Sequence, residues 1–393
     1  MKRRVLAVTG IRSEYDILAP VLRELQGREG VDVRVVVSGA HLSELHGFTS
    51  QWIERDGFEI VDRVDSLLRT DRQVQRPKGV ARLIEGLSQT VEREHPDVLL
   101  VVGDREEAIA TAVVGNYLQI LTAHIGGGDS AIGNADDPIR VAVSKLAHLH
   151  FAFTEEYAKN LVALGEEEFR VHVSGNPALS GIEGVPSISS DELSAVVGMQ
   201  VEADRFVIFL MHPLSSTLES TGSDIKVAFR AVTDFASQHD LQTVVIRPNS
   251  DPGSAQIHQE LEAVGLARPR VAIVPSLPRP EFVNLVRQAR CLVGNSSMGL
   301  LEAPGFGLPV VNVGPRQQGR TNAGNVIFVD VDRNEISSAL DTACFDASFR
   351  SSVMKLRTVD AGSTAAATIA HRLAELDLQD DRWINKRRLY PSN

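Results

Sequence analysis

The residues best placed to do chemistry begin with the run Gly294-Asn295-Ser296-Ser297-Met298-Gly299-Leu300-Leu301-Glu302-Ala303-Pro304, which follows the apolar stretch Cys291–Val293. A small, hydroxyl-rich turn opening a helix offers unpaired backbone N–H groups, and Ser296 and Ser297 add donors, a combination suited to a diphosphate. Glu302, a turn and a half further on, is placed to accept both hydroxyls of a ribose; an N-cap serine and a surface glutamate would leave the same letters. Beyond the next apolar run, Arg316 and Arg320 lie on the loop Gly314-Pro-Arg-Gln-Gln-Gly-Arg320. Their paired guanidinium donors suit a phosphate or the edge of a base. Phe282, near the start of a helix at Pro280-Glu281, is either a stacking partner for a base or a core residue.

The first apolar run, Val5–Thr9, is followed by Gly10-Ile11-Arg12-Ser13-Glu14-Tyr15, which puts Arg12 beside a helix start as a phosphate partner. Asp104 closes the run Val98–Gly103, and Asp136-Asp137 open the helical segment before Arg140. Acids from neighbouring strand-end loops can supply a general base and a general acid to one ligand, with helix capping as the alternative. His212, in Met211-His-Pro213, can exchange protons or hold a phosphate. Asn249 and Asp251 follow another strand, where an Asx turn also accounts for them. His41 is a further candidate contact to substrate. Its five-residue spacing from His46 does not make a metal-ligand pair, and His148 and His150 flank a strand start, so no metal is expected. Gly126-Gly-Gly-Asp129 with Ala131 matches a dinucleotide fingerprint in letters only, because no acid follows on a second strand tip. We expect no nicotinamide and no other cofactor.

These positions need a scaffold that brings strand ends together. Short runs, apolar at nearly every position, alternate with helical-period segments almost throughout, as in parallel sheets covered on both faces. Val5–Thr9, Val33–Ser38, Val98–Gly103, Ile120–Ile125, Phe151–Thr154 and Val171–Ser174 read as strands of a first unit. Val207–Met211, Thr243–Ile246, Val271–Val274, Cys291–Val293, Val310–Val313 and Val326–Val329 read as strands of a second. Ile17, Leu18, Val21, Leu22 and Leu25 make a helical stripe, for which Ser13 and Asp16 are placed as a capping-box-like start. The glycine-, proline- and serine-rich stretch 181–190 is the expected linker. The expectation is α/β, with two Rossmann-like doubly wound domains, 1–180 and 191–364, facing a cleft. A C-terminal helix and charged tail, 365–393, follow.

Composition narrows the partners. The formal net charge is −11 and only 20 of 393 residues are aromatic, which argues against a phosphate-tracking or base-stacking nucleic-acid surface. Two cysteines suit a reducing compartment. The N-terminal apolar stretch is too short for a signal peptide, and no run of about 18 apolar residues occurs, so a cytoplasmic protein without membrane partners is expected.

Taken together, Gly-Asn-Ser-Ser-x-Gly-x-x-Glu-Ala-Pro (294–304), Arg316-Gln317-x-Gly-Arg320, Pro248-Asn-x-Asp-x-Gly253 and Gly10-x-Arg12-x-Glu-Tyr15 resemble the UDP-N-acetylglucosamine 2-epimerase family. Asp136-Asp-x-x-Arg140, Lys145-Leu-x-His-Leu-His150-Phe and Ser174-Gly-Asn-Pro177 extend the match. The hydrolysing branch, which makes N-acetylmannosamine or related sugars for sialic and legionaminic acids, is the more similar. The resemblance implies a fold like that of GT-B glycosyltransferases, with the C-terminal helix and tail, 365–393, packing back on the first domain, and a UDP-sugar substrate. It assigns Ser296, Ser297 and Arg12 to the diphosphate, Glu302 to the ribose and Phe282 to the uracil. It gives acid/base roles to Asp104 and Asp136, and a site role to His212. Non-hydrolysing members carry a lysine where this chain has Ile17, and a glutamate where it has Gly126; Asp129 is the nearby acid able to replace that glutamate. A homodimer or homotetramer is expected. A GT-B glycosyltransferase and a non-catalytic nucleotide-sugar-binding regulator are the alternative readings.

Overall fold

A computed structural model describes residues 2–67, 72–130, 135–265, 268–357 and 364–387; Ala131 and the end of the charged tail lie outside these. The chain divides into two compact units, one built from most of residues 2–180 together with the C-terminal segment 364–387, the other from residues 181–357.

The first unit contains a seven-stranded sheet of β1 (Arg3–Thr9), β2 (Val31–Ser38), β3 (Glu59–Val64), β4 (Val98–Val102), β5 (Leu121–Ile125), β6 (Leu149–Ala152) and β7 (Val171–Val173). Its helices are α1 (Arg12–Gln26), α2 (Ser50–Arg55), α3 (Gln75–Glu94), α4 (Glu106–Leu118), α5 (Asp136–Leu146) and α6 (Glu155–Ala163). The strand order is β3-β2-β1-β4-β5-β6-β7, and every pairing is parallel.

The second unit begins with α7 (Ser190–Val197), whose Ser189 and Glu192 form a capping box. Its six strands are β8 (Phe206–Leu210), β9 (Gln242–Ile246), β10 (Val271–Val274), β11 (Cys291–Gly294), β12 (Val310–Val313) and β13 (Val326–Val329), in the parallel order β10-β9-β8-β11-β12-β13. Its other helices are α8 (Thr221–Gln238), α9 (Ser254–Gly265), α10 (Arg279–Gln288), α11 (Met298–Leu301), α12 (Ala303–Phe306), α13 (Arg333–Phe345) and α14 (Ala347–Met354). The last helix, α15 (Ala365–Glu375), belongs to the first unit.

Both sheets are doubly wound, and the alternation of side chains along β1 shows why its sequence is apolar throughout. Val5 and Ala7 enter the core beneath α1 and α15, while Leu6 and Val8 enter the opposite core with Leu83, Leu87 and Val91 of α3. Ile369, Ala370 and Leu373 of α15 lie in the same cluster as Leu18 and Leu22 of α1. In each sheet the winding direction reverses between two adjacent strands, β1 and β4 in one and β8 and β11 in the other. In such sheets ligands bind outside the carboxyl ends of the strands at this reversal.

Two local expectations are corrected. Ser13 is exposed inside the first turn of α1, the N-cap is Ile11 with no side-chain cap, and Asp16 pairs with Arg12 rather than completing a capping box. Ile11 has extended backbone there, so the helix enters straight from the strand-end loop. The strand β3 was not anticipated: Glu-Ile-Val-Asp-Arg-Val at a sheet edge is half-exposed along its length and lacks the continuous apolar run of an internal strand. Among the described residues, no helix is long and apolar enough to cross a membrane.

Candidate active site

At the carboxyl ends of β4 and β5 the first unit gathers acids around one arginine. Arg140, on α5, pairs with Asp104 just past β4 and donates from Nη1 to the Gly126 carbonyl just past β5, at 2.7 Å. Asp129, Asp136 and Asp137 also lie within its electrostatic reach, and together with Asp104 they hold its guanidinium above the usual arginine range against the opposing effect of burial. Asp136 is buried and bonded to Arg76 of α3 at 2.7 Å, and Arg76 also pairs with Glu106. The sequence-predicted acids Asp104, Asp129 and Asp136 therefore share one electrostatic neighbourhood. Each reaches it from a different loop or helix end.

His124 braces this arrangement from β5. Its Nε2 lies 2.7 Å from the Gly103 carbonyl, the residue before Asp104, and its Nδ1 lies 3.3 Å from Ser144 Oγ on α5. Burial lowers its pKa to about 3, so the ring is neutral and donates from Nε2.

Across the sheet reversal, Arg12 opens α1 and pairs with Asp16 at 2.8 Å. His41 does not reach out toward a ligand, as expected of a substrate contact. It is fully buried, its ring nitrogens lie 3.1 Å from Thr9 Oγ1 and 2.7 Å from Thr49 Oγ1, and burial lowers its pKa to about 3. A neutral ring with both nitrogens engaged ties the end of β1 to the segment between β2 and α2.

In the second unit, the reversal lies between β8 and β11. Gly294, at φ 140°, lets the chain pass so close to β8 that a Cβ would sit 1.9 Å from the Leu210 carbonyl oxygen. Asn295 then bridges the strands: His212 N donates to Asn295 Oδ1 at 2.7 Å, and Asn295 Nδ2 donates to the His212 carbonyl at 2.9 Å. Arg316 and Gln317 both donate to the Asn295 carbonyl at 2.9 Å, and Arg320 pairs with Gln317. His212, Asn295, Gly314, Arg316 and Asp224 line one concavity. Asn249 and Asp251 form the Asx turn, with Asn249 Nδ2 2.7 Å from Asp251, and Asn249 N lies 3.4 Å from His212 Nδ1.

The turn after β11 differs from the expected single helix. The helix α11 stops at Leu301, Glu302 sits in a break at φ −120°, ψ −42°, and α12 restarts at Ala303. Pro304 has no N–H to continue the ladder of α11. Glu302 thus lies at a kink, 3.3 Å from Arg279 Nη1, rather than along a helix face. Ser296 and Ser297 are half-buried in the turn, with Met298 N donating to Ser296 Oγ at 3.4 Å. Phe282 is 3% exposed, with the Arg279 guanidinium 5.8 Å from its ring centroid. So buried a ring has no open face, and the expected base stacking does not fit this packing.

Sequence reasoning named Arg140, Glu14 and Asn295 only as letters within longer patterns and passed over His124, Arg76 and Glu107. For all but Glu14, whose partner Gly10 is four residues back, the signal is spatial, arising from partners 14 to 83 residues away.

A profile match over most of the chain decides its kinship. The UDP-N-acetylglucosamine 2-epimerase profile matches residues 23–373. This chain belongs to that family. A UDP-N,N′-diacetylbacillosamine 2-epimerase (hydrolyzing) of Legionella pneumophila is 34% identical over 343 residues, 87% of this chain and 89% of the relative. A GDP/UDP-N,N′-diacetylbacillosamine 2-epimerase (hydrolyzing) of Campylobacter jejuni is 29% identical, over 86% of this chain and 87% of the relative. In fold, this family member is similar to the UDP-GlcNAc 2-epimerase of Neisseria meningitidis bound to UDP-GlcNAc, with a TM-score of 0.75 at 20% identity, covering 95% of this chain and 100% of the other. Both units are parallel α/β, and the epimerase neighbours share this GT-B-like architecture.

Proposed function

We propose that this chain is a hydrolysing UDP-sugar 2-epimerase, releasing UDP and the free C2-inverted sugar from UDP-N-acetylglucosamine or UDP-N,N′-diacetylbacillosamine. The observation that carries the reading is the 34% identity to a hydrolyzing epimerase over nearly the whole of both chains. The acid cluster around Arg140 supplies chemistry to match. A base among Asp104, Asp129 and Asp136 removes the C2 proton, the C–H electrons form the C1–C2 double bond, and the C1–O bond breaks to expel UDP. Water then adds to C1 while a proton returns to C2 from the opposite face. No net redox change occurs, and the sequence of steps requires no nicotinamide.

In this reading Arg12, Ser296 and Ser297 hold the diphosphate, whose charge grows as UDP leaves. Glu302 takes the ribose hydroxyls in place of Arg279, while Arg316, Arg320, His212 and Asn249 shape the nucleotide and sugar contacts. Gly126 replaces the glutamate of non-hydrolysing members, and Asp129 stands in for it. The free sugar would feed sialic or legionaminic acid synthesis in the cytoplasm, and the enzyme would act as a homodimer or homotetramer.

Incubation with each UDP-sugar in D₂O tests the reading. Free sugar carrying deuterium at C2 is the expected product. UDP-sugar recovered unlabelled and intact would overturn it, and sugar transfer to an acceptor with C2 untouched would favour a glycosyltransferase.

A further inference from the structure

Two buried carboxyls meet at Gly10, beside Arg12, and the reaction outlined above gives neither a task. Glu14 of α1 reaches back along its own chain and accepts from Gly10 N at 3.0 Å. Glu107, in the first turn of α4, accepts from Ser38 Oγ of β2 at 3.2 Å, and a Cβ on Gly10 would lie 1.7 Å from its Oε1. One further oxygen of each carboxyl, Glu14 Oε1 and Glu107 Oε2, is buried without a partner among the described residues. Two adjacent carboxylates with unpaired buried oxygens are costly, and a proton held between them relieves both the repulsion and the missing bond.

We infer that Glu14 and Glu107 share one proton and act as a positioning pair that fixes the Gly10–Arg12 backbone and so the direction of the Arg12 guanidinium. The pair links α1, β2 and α4 to the strand-end loop that closes β1. This inference rests on the proposed role of Arg12 at the diphosphate. The groups facing the pair agree with a retained proton. Burial raises the pKa of both carboxyls, each acid is also raised by a neighbouring glutamate, Glu107 for Glu14 and Glu106 for Glu107, and Arg105 opposes. His41, whose backbone N–H bonds the Gly10 carbonyl at 3.1 Å, is neutral and contributes no compensating charge.

The test uses the full chain with infrared spectroscopy and UDP calorimetry. At pH 7 the wild type should show the C=O stretch of a buried protonated carboxyl, and Glu107→Gln should abolish it. Glutamine reproduces the protonated acid, accepting from Ser38 and donating to Glu14. Glu107→Gln should therefore bind UDP within about twofold of wild type, while Glu107→Ala should bind it ~10-fold more weakly, the loss of one charge-assisted contact. Absence of the protonated-carboxyl band in the wild type would overturn the shared proton. Equal losses of UDP affinity in Glu107→Gln and Glu107→Ala, or none in either, would overturn the positioning role. The band does not depend on substrate, so a band present with Arg12→Met leaving UDP affinity unchanged would indict the Arg12 assignment and not the proton pair.

Discussion

Replacing Arg140 should separate the organisation of the acid cluster from nucleotide binding. One guanidinium spans Asp104 past β4 and the Gly126 carbonyl past β5, from a side chain only 12% exposed facing an aspartate 19% exposed. Arg140→Met keeps the length of the stem and removes both bonds. It leaves Asp104 without its cation and the Gly126 carbonyl without that donor. Breaking a buried pair by removing one partner costs about 3–5 kcal/mol, and partial solvent access at this site argues for the lower end, ~3 kcal/mol. For a unit of roughly 200 residues, that corresponds to a melting shift of about 6–12 °C. Arg140→Lys keeps the charge, but one ammonium cannot reproduce the planar fork, so an intermediate loss of ~1–2 kcal/mol is expected. Misplacement of an acid by an ångström costs on the order of 10²-fold in rate, so kcat of Arg140→Met should fall ~10²-fold. UDP affinity, measured by calorimetry, should stay within about twofold, because the proposed nucleotide contacts are elsewhere. Wild-type kcat together with an unshifted melt of the first unit would refute the reasoning.

Further outcomes follow from the same geometry. Asp104→Asn and Asp136→Asn should each lower kcat by ~10²–10⁴ with UDP affinity nearly intact, whereas Glu302→Ala should weaken UDP binding by about 1.5–3 kcal/mol; near-full turnover in both aspartate variants would return those acids to a capping role. Gly10→Ala should melt well below wild type, by about 1–3 kcal/mol, because its methyl group would overlap Glu107; an unchanged melt would show that the carboxyl moves away freely. Glu166 is buried against Lys386, Lys145 and His150, and these hold its pKa at about 2 despite the opposing effect of burial. Its folded pKa is below its ordinary 4.5, so its contribution of about 3 kcal/mol is full above pH ~5 and lost as pH falls toward 2; Glu166→Gln should flatten that limb of a stability–pH titration. His41 and His124, both lowered to about 3 from 6.5, add an acid-labile limb that begins near pH 6.5, which His41→Asn should make shallower.

The legible parts of the molecule were those in which one residue's burial implies its neighbour's. Interior strands such as β4, Val-Leu-Leu-Val-Val, are buried at every position, so an unbroken apolar run could only be a strand covered on both faces. The edge strand β3 has no such constraint, and its charged residues hid it. Strand-end positions were readable because buried parallel strands have clear apolar limits, which put Asp104, His212 and Ser296 just past β4, β8 and β11 from order along the chain alone. What the side chains at those ends touch was not readable. His41 faces inward between two threonines, Phe282 is closed off, and Glu302 sits at a break, because each depends on packing by residues distant in sequence.

The return of α15 to the first unit has a consequence for how the chain is made. The hydrophobic face of α1, with Leu18 and Leu22, waits for Ile369, Ala370 and Leu373, which leave the ribosome only after the whole second unit has emerged. During synthesis the second unit can therefore complete its own core first, while the first remains open along one side and exposed to chaperones and proteases. A stop codon placed after residue 357 would leave that face bare in a chain that still carries every residue assigned above to the reaction.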